Sequence, residues 1–576
     1  MVRRMPAQPM SPDRGPVRKP ERMLSASRTS LPVAMVVLFA WPACAWADET
    51  AEFRAGPLTL AISPQATARC RIEREGKPTL VGAATPFCSA VVDGRTLTSI
   101  RVRPANRGLN FEFPGSPVVA RIVIESKDDE YLQIEVADVR GDPDELRFVN
   151  VRATGTTDVL AERFLVIDDM RVGLIVDSPT VRLRGLEGAG GRLIATAYRE
   201  LPGVDPNTAM IGRRAALFAC RASELSDRVM TIEQSFGIPI GLKGKINEAN
   251  RRPYLLAYDV THANIDRLIE YASRGGFGSI LVQTDSWADT SRRYEVPVKN
   301  FPGGVAQLKS AVGRIRKAGM LAGGHLLATV VPNHGAYVTP RPDRRLYVDA
   351  RATLRRDVDA SADRMEILEV PTDWPTDGGM QYLRVDDEIV AYTDVSVTPP
   401  YGFTGCKRGQ CGTKATRHPA GTQVGHLRTG TSRRTFFIDH ETDLLQELAG
   451  DVARAYEAAG FDWVYMNGSE AVPPPVWYTV ANSELVLLRK LVSPPVIVQA
   501  AAESRFSWHL MTRTGQRDYG WISDDPKLEV DYAVARSVPR ARRAMMIADI
   551  GWLPIRSGRW GMRRTTIDEV EYAFVK

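Results

Sequence analysis

The sequence predicts a multidomain fold of the β plus α/β class, in which an N-terminal antiparallel β-sandwich precedes a (β/α)8-type barrel with a small β insert. Three observations predict this fold. Short runs of alternating polarity fill the first part of the chain, near-continuous apolar strands then alternate with helical patterns, and a second strand-rich stretch interrupts that alternation. A chain of 576 residues is also too long for one compact core.

Residues 1–47 have the composition of a secretory signal. Several arginines come first, the apolar run 31–40 follows, and Ala45-Trp46-Ala47 provides small residues before Asp48. The apolar run is too short to span a bilayer, so no membrane span is expected in the mature chain. We expect cleavage after Ala47 and a periplasmic or secreted protein. Met23 is an alternative start, because the charged region before the apolar run is unusually long.

The formal net charge of +7 comes mainly from this signal. Residues 1–47 contain seven Lys or Arg and two Asp or Glu, which leaves about +2 for the mature chain. There is no block of basic residues and no interleaving of aromatic with basic residues. Binding to a phosphate backbone needs such a face, so the sequence predicts no nucleic-acid partner. It does not indicate an oligomeric state.

The cysteines and histidines predict disulfides rather than a metal site. In an oxidising compartment, Cys70 with Cys88 and Cys406 with Cys411 are the expected pairs, and Cys220 is expected to be buried alone. The seven histidines have no partner at metal-ligand spacing, and no phosphate-binding or dinucleotide-binding glycine motif occurs. We therefore expect no metal and no cofactor.

Residues 48–250 are predicted to form the β-sandwich domain. Runs such as 118–124 and 131–136 alternate in polarity and are bounded by Gly, Pro, Asp or Asn. No long helical segment is expected among them. An antiparallel sheet with one buried face has this pattern.

Residues 251–361 and 429–576 are predicted to form the two parts of the barrel, because strands and helical patterns alternate there. The predicted strands are 254–259, 279–285, 321–331, 462–467, 495–501, 519–524 and 544–552. A helix begins near Thr566 and stops with the sequence. Two explanations remain open for the seven strands: an eighth was missed, or the open reading frame is truncated.

Residues 362–428 are predicted to be a small β module inserted after the third barrel strand. Its strands and its Gly-rich turns resemble β modules inserted in carbohydrate-active and phage proteins. Such a module either shapes a cleft or only decorates the surface.

Polar residues follow the predicted barrel strands at the end where barrel proteins place their sites. Cleavage of a glycosidic bond needs two carboxyl groups, about 5 Å apart for retention or roughly 6.5–9.5 Å apart for inversion. The candidate catalytic residues are Glu503, Asp549, Glu470 and Asp524. The candidate substrate-binding residues are Asp259, Asp285, Trp287, His325, Asn467, Arg505 and His509.

Glu503 is the first candidate, because it follows a fully apolar strand and precedes Arg505 and His509. The alternative is a structural ion pair with Arg505 or Arg513. For Asp549 the alternative is a turn at a strand end, and for His325 it is a buried core histidine. Asp285 beside Trp287 suggests a carboxylate and an aromatic platform for a sugar.

A β-sandwich before a barrel, Asp285-Ser286-Trp287 after the second strand and the run Gly460 to Glu470 at the fourth resemble the retaining α-glycosidase group that includes α-galactosidases. The resemblance covers about residues 242–552 and is more architectural than motif-based. It implies an exported glycoside hydrolase-like protein that acts on an oligo- or polysaccharide. It also implies a nucleophilic carboxylate at the end of the fourth strand and an acid/base near the sixth. The matching position for the nucleophile is Asn467, where an aspartate is expected.

An amide cannot form the glycosyl ester of a retaining mechanism, because it has no anionic oxygen to attack the sugar. Three hypotheses remain open. Glu470 or Glu503 supplies the carboxylate while Asn467 binds a sugar hydroxyl, or a different strand-end residue matches the nucleophile. In the third, the protein is a catalytically inactive glycan-binding protein. The chain can also be a fragment of a longer glycosidase.

Overall fold

The computed structural model describes residues 50–548, except 75–76, 81, 83, 188–189, 373, 377–380, 431–432 and 515–524, together with residues 566, 568, 569 and 572. The predicted signal at residues 1–47 therefore lies outside the described residues. So do Asp524 and Asp549, the predicted strand 519–524 and residues 549–552 of the predicted strand 544–552.

The amino-terminal region consists of antiparallel sheets. Its strands are β1 Ala51–Ala55, β2 Leu58–Ile62, β3 Thr67–Arg74, β4 Lys77–Leu80, β5 Thr85–Pro86, β6 Ser89–Val92, β7 Arg95–Thr98, β8 Arg101–Ala105, β9 Gly108–Glu112, β10 Val119–Lys127, β11 Tyr131–Arg140, β12 Glu145–Ala153, β13 Asp158–Leu160, β14 Phe164–Ile167, β15 Met170–Val176, β16 Val181–Leu186, β17 Gly191–Tyr198 and β18 Arg214–Arg221. They form one sheet in the order β1-β2-β3-β4 with β5 beside β3, a second in the order β13-β14-β15-β18-β11-β10-β9-β8 and a third in the order β16-β17-β12-β6-β7.

Alternating polarity explains these strands. In β10, Ala120, Ile122 and Ile124 are buried while the residues between them are partly exposed, which is the two-residue period of a half-buried strand. Buried residues from all three sheets, such as Leu60, Val149 and Leu217, belong to one apolar core. The prediction of antiparallel sheets in this region is confirmed.

Two features of this region differ from the prediction. The helix α1 Leu225–Ser235 follows β18 where no helical segment was expected, and the short helix α2 Gly241–Lys245 also lies within residues 48–250, which were predicted to form the β-sandwich domain. Among the described residues the five cysteines are free thiols, so the two expected disulfides are not formed. Cys70, Cys88, Cys220 and Cys406 are buried, and burial raises the pKa of the Cys70 thiol to about 12.

The second region contains a parallel sheet. Its elements are β19 Tyr254–Ala257, α3 Ile265–Arg274, β20 Ser279–Val282, α4 Thr284–Trp287, α5 Gly304–Lys317 and β21 Leu321–Leu327, and after the insert α6 Leu444–Ala459, β31 Trp463–Asn467, α7 Val476–Lys490, β32 Val498–Ala500, α8 Pro526–Tyr532 and α9 Val538–Arg543. The strands pair in parallel in the order β19-β20-β21-β31-β32, as the alternation of strands and helices predicts. One further parallel bridge joins Arg513 to Ile547. Within the described residues these strands do not form a closed ring.

The tight fit between β21 and β31 depends on glycine. A side chain at Gly323 would lie 2.2 Å from the indole of Trp463, which is fully buried. The strand β31 is buried along Trp463, Val464, Tyr465 and Met466 and becomes half-buried only at Asn467. The strand thus places a polar residue where it leaves the core.

The inserted module lies between β21 and α6. Its elements are β22 Val330–Pro332, β23 Val348–Thr353, β24 Arg364–Glu366, β25 Gln381–Val385, β26 Glu388–Tyr392, β27 Asp394–Ser396, β28 Gly402–Thr404, β29 Gln423–Leu427 and β30 Thr435–Phe437. Because β23 pairs with β29, the module begins earlier than the predicted residue 362. Its fully buried Glu388 accepts hydrogen bonds from Arg408, at 2.7 and 2.9 Å, and contacts the His418 ring at 2.8 Å.

No helix among the described residues is long and apolar enough to cross a membrane.

Candidate functional site

The carboxyl ends of the parallel strands bring together polar residues from different parts of the chain. Asp259 follows β19, Asp285 lies just after β20, and Asn467 ends β31. Because these strands run in the same direction, their ends meet at one edge of the sheet. We call this edge the strand-end face.

Asp259 and Asp285 lie close to each other on the strand-end face. The pKa of the Asp285 carboxyl is raised, first by partial burial and then by the negative charges of Asp289 and Asp259. Both Asp259 and Asp285 still expose much of their side chains. Two exposed carboxylates from successive strands therefore lie near enough for the charge of Asp259 to act on Asp285.

A buried histidine holds Asn467 in place. The Nδ2 of Asn467 lies 3.1 Å from Nε2 of His325, and the backbone N–H of Gly468 donates to Oδ1 of Asn467 at 2.7 Å. The other ring nitrogen of His325 contacts Oγ1 of Thr284 at 2.5 Å, and that hydroxyl donates to the His325 carbonyl at 2.8 Å. Gly468 has φ +87°, which favours glycine at this turn out of the strand.

These partners assign the protons. The Asn467 Oδ1 accepts from Gly468, so Nδ2 must donate to Nε2 of His325. Nε2 is then unprotonated, and Nδ1–H donates to Thr284. Burial lowers the pKa of His325 to about 3, which agrees with a neutral ring. The hydrogen bonds at position 467 thus require the amide of an asparagine. His325 is the buried core histidine that was one of its two predicted roles.

Trp287 does not form the predicted aromatic platform. It is fully buried, and its Nε1–H donates to the carbonyl of His325 at 2.9 Å. Its ring packs edge-on against Phe461 with a centroid distance of 5.0 Å. The side chain points into the core because α4 begins immediately after β20 and directs Trp287 inward, a direction that sequence spacing does not reveal.

Glu470 combines burial with incomplete hydrogen bonding. Burial raises the pKa of its carboxyl, although backbone N–H groups at Glu470 and Gly468 act in the opposite direction. Its Oε1 is buried without a hydrogen-bond partner among the described residues, and so are the hydroxyls of Ser469 and Thr479. A polar segment with unused hydrogen-bonding capacity therefore follows Asn467.

Glu503 is exposed beyond the end of β32. Its negative charge raises the pKa of the Glu484 carboxyl and acts on the Lys245 ammonium, so it lies near these two buried groups. Glu484 was not predicted. It is fully buried on α7, accepts a hydrogen bond from Ser507 at 2.6 Å, and has a pKa raised mainly by burial. In the sequence, the only sign that Glu484 is buried is its position on the apolar side of the α7 helical pattern.

Arg505 and His509 lie at the junction with the amino-terminal region, where they contact its side chains. Arg505 forms an ion pair with Glu162 of the loop between β13 and β14. His509 is fully buried, with Nδ1 2.6 Å from Glu233 and Nε2 2.5 Å from Nη1 of Arg163. Both ring nitrogens of His509 are therefore occupied, which does not fit the predicted substrate-binding role of His509. The substrate-binding role of Arg505 stays a prediction.

Asp524 and Asp549 lie outside the described residues, so their assignment stays a prediction. Among the side chains that the structure describes, no cluster of His, Cys, Asp and Glu could hold a metal ion.

Comparisons with known proteins find similarity at the level of structure only. No family model matches the sequence, and no curated protein does so. An α-galactosidase from Lactobacillus brevis superposes with a TM-score of 0.43 at 10% identity, covering 92% of this chain and 80% of that one. A GH36 α-galactosidase from Geobacillus stearothermophilus gives 0.45 at 9% identity, covering 90% and 81%. An α-N-acetylgalactosaminidase from Bifidobacterium bifidum gives 0.41 at 12% identity, covering 82% and 80%.

The predicted resemblance to α-galactosidase-like proteins is thus confirmed among solved structures. By overall resemblance, the chain is similar to α-galactosidases and an α-N-acetylgalactosaminidase.

Proposed function

We propose that this chain is a glycoside hydrolase-like protein that binds an oligo- or polysaccharide at the strand-end face and cleaves an O-glycosidic bond there. The observation that carries the proposal is that Asp259 and Asp285 follow two successive strands at one edge of the sheet, where partial burial and the charges of Asp289 and Asp259 raise the pKa of Asp285. Carboxylates held close together in a solvent-accessible space suit sugar hydroxyls and proton transfer.

Glu470 is the proposed general acid. Burial raises the pKa of its carboxyl and so increases the protonated fraction near neutral pH, as the proton donor to a leaving glycosidic oxygen requires. Asp285 is the proposed general base, because neighbouring carboxylates make it a better proton acceptor than an isolated aspartate.

Asn467 is proposed to orient the sugar rather than to attack it. Its amide is already held by His325 and Gly468, but the second Nδ2 hydrogen can still donate to a hydroxyl. Without a nucleophilic carboxylate at this position, water attacks the anomeric carbon directly. One proton passes from that water to Asp285, and Glu470 gives one to the leaving oxygen. This route inverts the anomeric configuration.

The test is a panel of aryl glycosides and polysaccharides, including α-galactosides and α-N-acetylgalactosaminides, with product anomers followed by NMR. We expect Glu470→Gln and Asp285→Asn each to lower kcat by about 100-fold or more, because general acid or base catalysis contributes on that scale. Glu270→Gln is the matched control, since Glu270 is an exposed carboxylate on α3. Full activity in both site variants would exclude the assignment.

Variants of Glu503, Asp524 and Asp549 are assayed on the same substrates, because the sequence predicts that these residues are catalytic. If only Glu503→Gln loses activity, Glu503 at the end of β32 is the general acid or base. A retained anomeric configuration would require a nucleophilic carboxylate other than position 467.

The second candidate is a glycan-binding protein without turnover. The hydrogen-bonded amide at Asn467 favours it, because a carboxylate is expected at this position by resemblance. Glycan-array binding with no hydrolysis, and with no loss in Glu470→Gln, would support this candidate against the hydrolase.

We also propose export, with removal of residues 1–47. N-terminal sequencing of the protein from the periplasmic and culture fractions tests this: a mature chain beginning at Asp48 is expected, and a chain that retains residues 23–47 in the cytoplasm would contradict it.

A further inference from the structure

A cavity of about 380 Å³ lies on the opposite side of the parallel sheet from the strand-end face. Two segments line it, the stretch 242–251 that precedes β19 and the stretch 542–547 after α9. Arg513, which bridges to Ile547, donates to the carbonyl of Arg252 at 2.5 Å, just before β19 begins. The cavity is therefore at the amino ends of the strands, and we call it the amino-end cavity.

The charged residues that line the amino-end cavity are all basic. They are Lys245, Arg251 and Arg542, and no aspartate or glutamate is among the lining residues that the structure describes. Arg251 and Arg542 are exposed, and Arg251 forms only a weak surface pair with Glu248 at 3.4 Å. Within the described part of the chain Arg542 has no carboxylate partner, whereas the adjacent Arg543 pairs with Asp158 and Glu187.

Lys245 adds a buried cation. Its side chain is almost fully buried, its ammonium donates to the carbonyls of Trp508 and Met511, and it lies 4.5 Å from the Trp508 ring centroid. Burial lowers the pKa of Lys245 to about 7, while the charges of Glu233 and Glu503 raise it and that of Arg163 lowers it. An anion bound in the cavity would favour the charged ammonium and recover part of its lost hydration.

Apart from the polar Asn247, the remaining wall is apolar. It is formed by Leu242, Ile246, Met545, Met546 and Ile547. Ile246 is 58% exposed although it borders the cavity. Methionine side chains are flexible and adapt to ligands of different shape. A cavity with basic groups on one side and an adaptable apolar wall matches a ligand that is both anionic and apolar.

We propose that the amino-end cavity binds a small organic anion, with its anionic group against Arg542 and Arg251 and its apolar body against Met545 and Met546. The site is separate from the proposed sugar site, so it does not depend on hydrolase activity. The shared chemistry is an acidic head on a short apolar chain, whether that head is a carboxylate or a phosphate.

The test is titration of the folded full chain with the fluorescent anion 8-anilinonaphthalene-1-sulfonate, with circular dichroism to confirm that each variant is folded. We expect one probe molecule per chain and displacement by hexanoate or hexyl phosphate. Hexanol, which has no charge, is expected to displace it poorly. Comparison of the two anionic competitors distinguishes a carboxylate from a phosphate ligand.

Two variants locate the probe. Arg542→Gln should weaken binding about tenfold, because a charge-assisted hydrogen bond is lost. Arg540→Gln is the matched control: Arg540 is exposed on the same helix, α9, but does not line the cavity. Met546→Trp should abolish binding by filling the space without removing a charge. Equal affinity in Arg542→Gln and Arg540→Gln, or displacement by hexanol as strong as by hexanoate, would overturn the proposal.

Discussion

The strand-end face and the junction around His509 both concentrate ionisable groups, but they treat them differently. At the junction, the buried His509 is hydrogen-bonded to both Glu233 and Arg163, which are also buried, and the backbone N–H of Leu242 donates to Glu233 at 2.6 Å. At the strand-end face, Asp259 and Asp285 are exposed and repel each other. A saturated network stabilises the fold, whereas acids kept close at a cost in energy suit the binding of a ligand.

The largest effect is expected when the junction loses its anion. Glu233→Ala would leave Arg163, His509 and Lys245 buried without their shared carboxylate, and we expect a loss of about 3–5 kcal/mol in the free energy of unfolding. Urea unfolding followed by circular dichroism measures it. Glu270→Ala on the exposed face of α3 is the control, with an expected change below about 0.5 kcal/mol. If the two variants lose the same free energy of unfolding, the buried network at the junction contributes no more to stability than an exposed surface residue does.

The next effect is the response of the junction to acid. Burial and the charge of Arg163 lower the pKa of His509 to about 4, although its hydrogen bond to Glu233 acts in the opposite direction. Between pH 6.5 and 4 the unfolded chain binds a proton at His509 that the folded chain does not, so the free energy of unfolding falls as pH falls. A shift of this size corresponds to roughly 3 kcal/mol over that window.

Burial also lowers the pKa of His325 and His440, so these residues contribute to the same loss of stability as pH falls. The variant His509→Gln is therefore needed to isolate the contribution of His509. The variant is expected to be less stable at pH 7 but to lose less stability between pH 6.5 and 4. Urea unfolding at several pH values gives both slopes. Identical slopes for the wild-type and variant proteins would show that His509 accepts its proton freely in the folded state.

A smaller effect is expected at the boundary between core and face. Asn467→Asp would place a carboxylate against the unprotonated Nε2 of His325, so two acceptors would meet. We expect a loss of about 1–3 kcal/mol at pH 7, measured by urea unfolding, and a rise in the pKa of His325 seen by NMR. Asn467→Ala removes the hydrogen bond without adding charge and is the control. A more stable aspartate variant would contradict the proposed proton assignment.

The smallest effect is expected on the strand-end face itself. Asp285→Asn removes the repulsion from Asp259 and Asp289, so the free energy of unfolding at pH 7 should stay unchanged or rise by less than about 0.5 kcal/mol. The raised pKa of Asp285 means that this repulsion is relieved as pH falls towards 4, and the advantage of the variant should then disappear. Urea unfolding at pH 7 and pH 4 tests both points. A clear loss of stability would make Asp285 a structural residue.

Local patterns were sufficient for the elements and their order. Alternating polarity in β10 predicted an antiparallel strand, and the buried run of β31 with its polar end predicted a parallel strand that ends at Asn467. The helix α1 was missed although its buried Leu225, Val229 and Ile232 recur at helical spacing. Local patterns were insufficient for β23, which is defined by its pairing with β29 about 70 residues later.

By itself, the amino-acid sequence determined the antiparallel region, the parallel strands and the acids at their ends, because hydrophobic periodicity depends only on neighbouring residues. Tertiary structure alone decided which polar side chains meet. It directed Trp287 into the core, tied Asn467 to His325 and turned His509 towards Glu233, 276 residues away. The physical reason is that the direction of a side chain is set by the partners that pack against it, and those partners come from distant segments.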